Sequence, residues 1–478
     1  MIAPARAAAL EVLQAVGANR SDLPAAIARA RDRLTDPRDR ALLVELATGT
    51  LRWRGAIDHL IAHASKRPLH RLDEQILDIL RLGIYQLLHL TRVPAAAVVD
   101  DAVQMTRKAR KASAAGFVNA VLRHVSRTRG HLPLPPRPAI AADRTPADRD
   151  AALDYLFITL SHPRWLIARW MDAHGFEAAE RWARFNNEPA PLTLRVNTLR
   201  VTRGSVQDAL RRHGVECRET TVAPDGLVIV EGNPLLTPLA DEGLFMLQDE
   251  ASQAVACLSL AAAGERVFDT CAAPGGKSLA IAAGVGPDGL VVAGDVRGRR
   301  IDLLRDTLAR ARATRVFLLQ IDLNEPLPVG PVFDCVFVDA PCSGLGTIRR
   351  DPEIRWRRRP EDLPSLAAAQ LRKLQHAAAA VRPGGRLVYT TCSSEPEENE
   401  AVVAAFLSGD ARFTPLDRAA ILNGLPSSMR GLINDAGHLR SWPWQHGLEA
   451  FFGAVLVRRM DELQSSHETP RSPRRSSS

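Results

Sequence analysis

The sequence predicts a multidomain chain: an all-α N-terminal domain, a small α/β middle module, and a C-terminal α/β domain on a parallel sheet with helices on both faces. Three observations lead there. Apolar residues recur at helical spacing through residues 1–130, prolines crowd residues 131–149, and from residue 236 strand-like and helix-like segments alternate. A chain of 478 residues exceeds what one hydrophobic core commonly organises, so length alone calls for several domains.

In the first domain "ARAAALEVLQAV", "DRALLVELATGTLRWRGAIDHLIAHA", "LDEQILDILRLGIYQLLHL", "AAAVVDDAVQMTRKA" and "AGFVNAVLRHVSR" each place apolar residues three and four apart, and none alternates like a strand. The net charge of +8 also sits here. Residues 1–130 contain 21 Lys and Arg against 12 Asp and Glu, which leaves the rest of the chain close to neutral. A basic excess confined to one module points to a polyanionic partner, of which nucleic acid is the commonest; a solubilising surface is the competing reading. Pro133, Pro135, Pro136 and Pro138 then remove amide donors and fix φ, so 131–149 reads as a linker. Residues 150–235 combine a helix pair with "PLTLRVNTLR", "GSVQDALRRHG" and "DGLVIVEG", the texture of a small α/β module. Across 236–460 the order is "RVFDTCA", "KSLAIAAGV", "GLVVAGDV", "RRIDLLRDTLARAR", "RVFLLQ", "FDCVFVDA", "LAAAQLRKLQHAAAAV" and "GRLVYTTC". Parallel strands joined by helical crossovers produce this order, and ligands of such sheets sit beyond the carboxyl ends of the strands. Residues 461–478, rich in Ser, Arg and Pro, read as a disordered tail.

No run approaches the roughly 18 apolar residues of a membrane span, and the first residues read as an amphipathic helix rather than a signal peptide. A cytoplasmic address without membrane contact is expected. Cys217, Cys257, Cys271, Cys335, Cys342 and Cys392 form no C-x-x-C pair and no zinc-type spacing with His, so neither a metal site nor a disulfide framework is expected. A thiol here is either a small hydrophobe, the reading given to Cys217, Cys257 and Cys335, or a reacting group.

The reacting candidates lie at predicted strand ends. "DTCAAPGGKS", Asp269 to Ser278, is a small-residue loop opening a helix, whose glycines admit a ligand close to backbone and whose first amides are free donors. Cys271 stands where the triphosphate loop G-x-x-x-x-G-K-[ST] needs Gly, which weighs against a nucleotide hydrolase. Asp295 ends the next strand, 20 residues after Gly275, where an acid grips ribose hydroxyls; Asp322 follows the third, within reach of an adenine amino group. Either aspartate alone is as readily a helix cap. The fourth strand delivers Asp339 and then Cys342, the fifth Cys392. If those strands are neighbours, both thiols and the carboxylate face one crevice. Two thiols, an acid and a nucleoside cofactor fit methyl transfer to C5 of cytosine, in which a thiolate adds to C6 while N3 is held by the acid. Spacing does not choose which cysteine attacks. Beside them "IRRDPEIRWRRRP" offers Arg349, Arg350, Arg355 and Arg357 to phosphates and Trp356 to a base, with a plain charged loop as the alternative.

At these residues the chain resembles the Sun family of RNA (cytosine-C5) methyltransferases, most closely its bacterial branch acting on 16S ribosomal RNA. "DTCAAPGGKS", "FDCVFVDAPCSGLGTIRRDPEIRW", "YTTCSSEPEENE" and "HGLEAFFGAVLVRR" are similar to the family's motifs in order. "LRLGIYQLLHLTRVPAAAVVDDAV" and "GFVNAVLRHV" are similar to its NusB-like helical domain. The resemblance implies three parts: a NusB-like RNA-binding domain, a small RNA-facing module, and a Rossmann-like methyltransferase domain. It implies S-adenosyl-L-methionine held by Cys271, Ala272, Ala273, Pro274, Gly275, Gly276, Lys277, Asp295, Asp322 and Asp339. It further implies Cys392 as the attacking thiol, Cys342 in product release, Asp339 at cytosine N3 and Lys277 beside the base. Cys335 replaces an Arg or Lys and Ala450 a Gly usual in the family. A monomer acting on small-subunit ribosomal RNA is expected. The competing class is a non-catalytic RNA-binding, antitermination-type protein that retains a cofactor fold; the intact set Asp339, Cys342 and Cys392 weighs against it.

Overall fold

The computed structural model describes residues 2–138 and 145–460. Seven α-helices build the N-terminal domain: Pro4–Gly17, Leu23–Arg31, Pro37–Arg52, Arg54–Ser65, Glu74–His89, Ala95–Lys108 and Ala115–Thr128. Asp22, Asp36 and Asp73 cap three of these by accepting from amides of the first turn, and Pro4, Pro24 and Pro37 sit where a helix has no use for an N–H. Helix Glu74–His89 buries Ile76, Ile79, Leu80, Leu82 and Ile84, which lie on most of its faces, and therefore occupies the middle of the bundle.

Residues 132–138 have no regular secondary structure, and the Pro135 carbonyl accepts from Thr159 Oγ1 at 2.6 Å. Residues 139–144 of the expected linker and the expected tail, 461–478, lie outside the described residues. Helices Pro146–Asp154, Arg164–His174 and Phe176–Asn187 follow. Next comes a four-stranded antiparallel sheet of β1 (Thr193–Val196), β2 (Glu216–Glu219), β3 (Gly226–Glu231) and β4 (Phe245–Leu247), in the order β2-β3-β1-β4. This sheet passes the expected boundary at 235, because β4 pairs Phe245 with Val196 and Leu247 with Leu194. A three-residue strand carries no readable period, so only the pairing reveals it. The helices before the sheet turn Leu156, Leu166, Trp170 and Trp182 toward Leu345, Ile348, Ile354 and Leu363, so they share a core with the C-terminal domain.

That domain holds β5 (Arg266–Asp269), β6 (Leu290–Asp295), β7 (Val316–Gln320), β8 (Phe333–Asp339), β9 (Val381–Thr391), β10 (Phe413–Pro415), β11 (Leu439–Arg440) and β12 (Phe452–Arg458). Its order is β10-β12-β9-β8-β5-β6-β7, with β11 on β12. The strands from β7 across to β9 are parallel as expected, but β12 runs antiparallel to β9, and β10 and β11 antiparallel to β12, so the sheet is mixed. Ala251, Val255, Ile281 and Ala282 cover one face and Leu374, Ala377, Val402 and Phe406 the other. From β5 the chain first builds outward through β6 to β7, then returns to the opposite side for β8 and β9. The strand order thus reverses between β5 and β8, where sheets of this kind bind ligands.

Candidate active site

The pairing of β8 with β9 sets Asp339 opposite Thr390. Beyond both strand ends the ladder stops, and the loops carrying Cys342 and Cys392 run side by side with their sulfurs 3.2 Å apart. Both thiols are partly accessible. The Gly346 amide donates to the Cys392 carbonyl at 2.9 Å, and a Cβ at Gly346 would stand 1.9 Å from the Ala450 carbonyl oxygen. Only glycine lets three backbones cross so closely here. From β5 the small-residue loop and helix Gly276–Val285 bring Lys277 Nζ to 2.7 Å from Asp339 Oδ2, while Thr390 Oγ1 donates to Asp339 Oδ1 at 3.0 Å. The sequence places these residues on three separate strands; the fold assembles them into one site.

Burial works against the Lys277 ammonium, but the Asp339 carboxylate outweighs it and raises its pKa. The Cys342 thiol is pushed well above the ordinary range by its hydrogen bond with Cys392, by burial, and by the charges of Cys392 and Glu398. Cys342 is therefore a proton-holding thiol beside Cys392. Burial pushes Cys271 up to about 12, and its neighbours in the core are apolar, so it packs as a hydrophobe within the loop.

Among the cofactor candidates, Asp295 Oδ2 accepts from the Ala273 amide at 3.3 Å and from Arg300 Nε at 2.9 Å, binding the end of β6 to the loop. The Ala272 amide donates to the Gly294 carbonyl at 2.8 Å, which lays Ala272, Ala273 and Pro274 across the ends of β5 and β6. Gly275 takes φ of +110°, and a Cβ there would meet Leu304 Cδ1 at 2.8 Å. Gly276 begins the helix. Asp322 is exposed, its Oδ1 accepting from the Asn324 amide and side chain. Beneath the loop Asp269 is fully buried; Ser278 Oγ donates to its Oδ2 at 2.6 Å, its Oδ1 has no partner, and burial raises its carboxyl to about 7. Asp295 and Asp322, at the neighbouring ends of β6 and β7 beside the small-residue loop, fit a ligand that offers ribose hydroxyls and an aromatic amine. Among the described residues no group of His, Cys, Asp and Glu could hold a metal ion.

The expected RNA contacts need correction. Arg355 is wholly buried, with Nη1 2.9 Å from both the Ser161 carbonyl and Asn187 Oδ1, and burial lowers its pKa. A guanidinium spent on protein acceptors inside a core does not face a polyanion. Trp356 likewise donates from Nε1 to the Leu51 carbonyl at 2.7 Å and lies under Arg54. Both residues tie the helical domain to the catalytic one. Arg349 stacks over Phe185 at 4.2 Å and donates to the Pro189 carbonyl, and Arg350 donates to Asp249 at 2.8 Å. Arg357 alone of the five is exposed, lining with Arg20, Arg54 and Arg359 a cavity of about 490 Å³ at the seam of the two domains. Sequence reasoning missed Glu398, buried behind the thiols, because "EPEENE" reads as a run of solvated charges.

The fold and its site define a Rossmann-like methyltransferase with a dithiol centre. Residues 256–457 match the model of the 16S rRNA methyltransferase RsmB/F family, residues 3–127 that of the NusB family, and residues 162–235 that of the ferredoxin-like domain of RsmF/B-like methyltransferases. The chain is 33% identical over 416 residues to the probable ribosomal RNA small subunit methyltransferase B of Bacillus subtilis (strain 168), covering 87% of this chain and 89% of that one. It is 33% identical over 438 residues to the ribosomal RNA small subunit methyltransferase B of Pseudomonas putida (strain KT2440), covering 91% and 96%. The crystal structure of PH0851 matches with a TM-score of 0.76 at 26% identity, over 95% of this chain and 99% of its own. The chain belongs to the RsmB/F family of 16S rRNA methyltransferases.

Proposed function

We propose that the protein transfers a methyl group from S-adenosyl-L-methionine to C5 of a cytosine in 16S ribosomal RNA through a covalent adduct between Cys392 and C6. The observation that carries this reading is the Cys342–Cys392 pair, 3.2 Å between sulfurs, beside the Lys277–Asp339 pair at the ends of β8 and β9. The cofactor, lodged at the 271–277 loop with Asp295 and Asp322, supplies an electrophilic methyl. The chain supplies the rest. Asp339 presents its carboxyl to N3, and Lys277, bonded to the same carboxyl, replaces the proton that N3 draws on. The Cys392 thiolate bonds to C6, with Cys342 keeping its proton and donating toward it, and C5 becomes the nucleophile.

Release follows from the same geometry. The main influence holding the proton on Cys342 is Cys392. Once Cys392 is a neutral thioether that influence is gone, so Cys342 can release its proton to solvent and, as a thiolate, accept the C5 proton. The Cys392–C6 bond then breaks, its electron pair returning to sulfur as the ring regains aromaticity. The +9 excess of the NusB-like domain supports RNA as the partner.

A denaturing gel of wild type, Cys342→Ala and Cys392→Ala, each incubated with S-adenosyl-L-methionine and undermodified 16S rRNA, tests this. Cys342→Ala is expected to accumulate a covalent RNA adduct and Cys392→Ala to form none. The opposite pattern would exchange the roles of the two thiols, and absence of both adduct and methylation in wild type would overturn the reading.

A further inference from the structure

Behind the thiols lies a carboxylate to which this chemistry gives no role. Glu398, in the short turn Pro396–Glu398, is completely buried. Its Oε1 accepts from the Ser343 amide and from Gln370 Nε2, each at 2.8 Å. Its Oε2 accepts from the hydroxyls of Ser343 and Ser393, each at 2.5 Å. Ser343 is the residue after Cys342, Ser393 the residue after Cys392, and the two hydroxyls are 3.1 Å apart. The turn is itself anchored, since the Glu398 carbonyl accepts from Tyr389 Oη at 2.6 Å and Gln370 also reaches the Pro341 carbonyl at 3.1 Å.

A buried carboxylate is costly to desolvate unless donors satisfy it, and four short hydrogen bonds do so here. Satisfying it fixes the rotors of both serines and hence the backbone beside each cysteine. The β8–β9 ladder ends before the two loops; the Gly346 amide joins the Cys392 carbonyl at 2.9 Å, but it lies four residues past Cys342, and strand spacing alone leaves thiols on neighbouring strands free to part. We propose that Glu398 is the positioning residue of the dithiol centre, clamping Ser343 and Ser393 so that the Cys342 and Cys392 sulfurs stay at the separation that release of the adduct requires. Its consequence for turnover rests on the two-thiol reading above; the clamp itself does not.

The test uses the full chain, with Glu398→Gln, which removes the charge, and Ser393→Ala, a small change that cuts the arm on the Cys392 side together with that hydroxyl's contacts to Ser343 Oγ and the Glu395 amide. Dibromobimane, which fluoresces after alkylating two adjacent thiols, measures the sulfur separation without RNA or cofactor, and Cys392→Ala gives the background. Bridging is expected to slow at least about tenfold in both variants, a displacement near 1 Å commonly costing about 100-fold in such oriented reactions. With S-adenosyl-L-methionine and undermodified 16S rRNA, the covalent adduct should persist at least about tenfold longer than in wild type, with kcat/KM for RNA within about twofold, as expected when only a step after the adduct is slowed. A merely structural role would lower the active fraction without lengthening the adduct's life. Unchanged bridging in both variants overturns the proposal even if wild type forms adduct. Slower bridging with no adduct in wild type leaves the clamp standing and overturns the two-thiol chemistry instead.

Discussion

Replacing Asp339 with Asn keeps the shape of the side chain and removes its charge. In the structure its two oxygens are held separately, Oδ2 by Lys277 and Oδ1 by Thr390. An Asn satisfies one donor and turns an N–H₂ toward the other. Lys277, its side chain 14% exposed, then loses the influence that raises its pKa, and burial pulls the value down. Two costs follow. A proton-transfer group at the base contributes about 10²–10⁴-fold, which at 1.36 kcal/mol per tenfold is about 3–5 kcal/mol on the barrier. The broken, mostly buried pair costs about 1–3 kcal/mol of folding stability. Asp339 is itself among the expected cofactor contacts, but Asn keeps its shape and leaves Asp295, Asp322 and the loop backbone in place, so the cofactor Kd should move by less than about threefold, or about 0.7 kcal/mol. Single-turnover methyl transfer to undermodified 16S rRNA, beside calorimetric titration of S-adenosyl-L-methionine, separates these terms. A large loss of rate with a nearly constant Kd is expected. Equal loss of rate and cofactor affinity would refute the placement of Asp339 at the base. The raised Lys277 pKa also means that the pair's stabilisation is fully present below the ordinary 10.5 and is lost only as pH rises through the raised value, so in wild type the pair adds no slope near neutrality.

Asp269 makes the opposite pH prediction. Its carboxyl is raised to about 7, so its favourable protonated state is fully present below pH 3.8 and is lost as pH climbs to 7. Asp269→Asn should gain stability over wild type across that window, by at most about 4 kcal/mol, and hold a constant gain above it; a gap that does not vary with pH in denaturant melts contradicts the raised value. Trp356→Ala deletes the Nε1 bond to the Leu51 carbonyl and is expected to cost about 2–4 kcal/mol at the domain seam. Amide exchange should then rise in helices Pro37–Arg52 and Arg54–Ser65 while the sheet stays protected. Arg357→Gln should lower the slope of log RNA affinity against log salt by about 0.7–0.9 for one lost phosphate contact and leave cofactor binding alone; an unchanged slope places the phosphates elsewhere.

The helical domain, the parallel core of the sheet and the strand-end residues were all legible in the chain, because each rests on a local period or a spacing. Helix Glu74–His89 announces its central place by its own apolar residues, and "DTCAAPGGKS" announces a ligand loop by its small residues. The strands β4, β10 and β11 were not legible: two or three residues have no period, and their pairing comes from partners far along the chain. The basic run was misread for Arg355 and Trp356, since composition reports charge but not the side of a surface on which it lies.

The sequence by itself determined which groups the proposed chemistry draws on: two thiols and a carboxylate at or just past strand ends, and a lysine at the start of the helix after β5. Only the tertiary structure decided how they act together. It set the sulfurs 3.2 Å apart, joined Lys277 to Asp339, and buried Glu398 between the two serines that follow the cysteines. Apart from the bond between Ser393 and Glu398, which are 5 positions apart, those relations join residues 50 to 62 positions apart. A residue's chemistry travels with its side chain, whereas its distance from a partner on another strand is fixed by the ladder, the loops and the packing of the whole sheet.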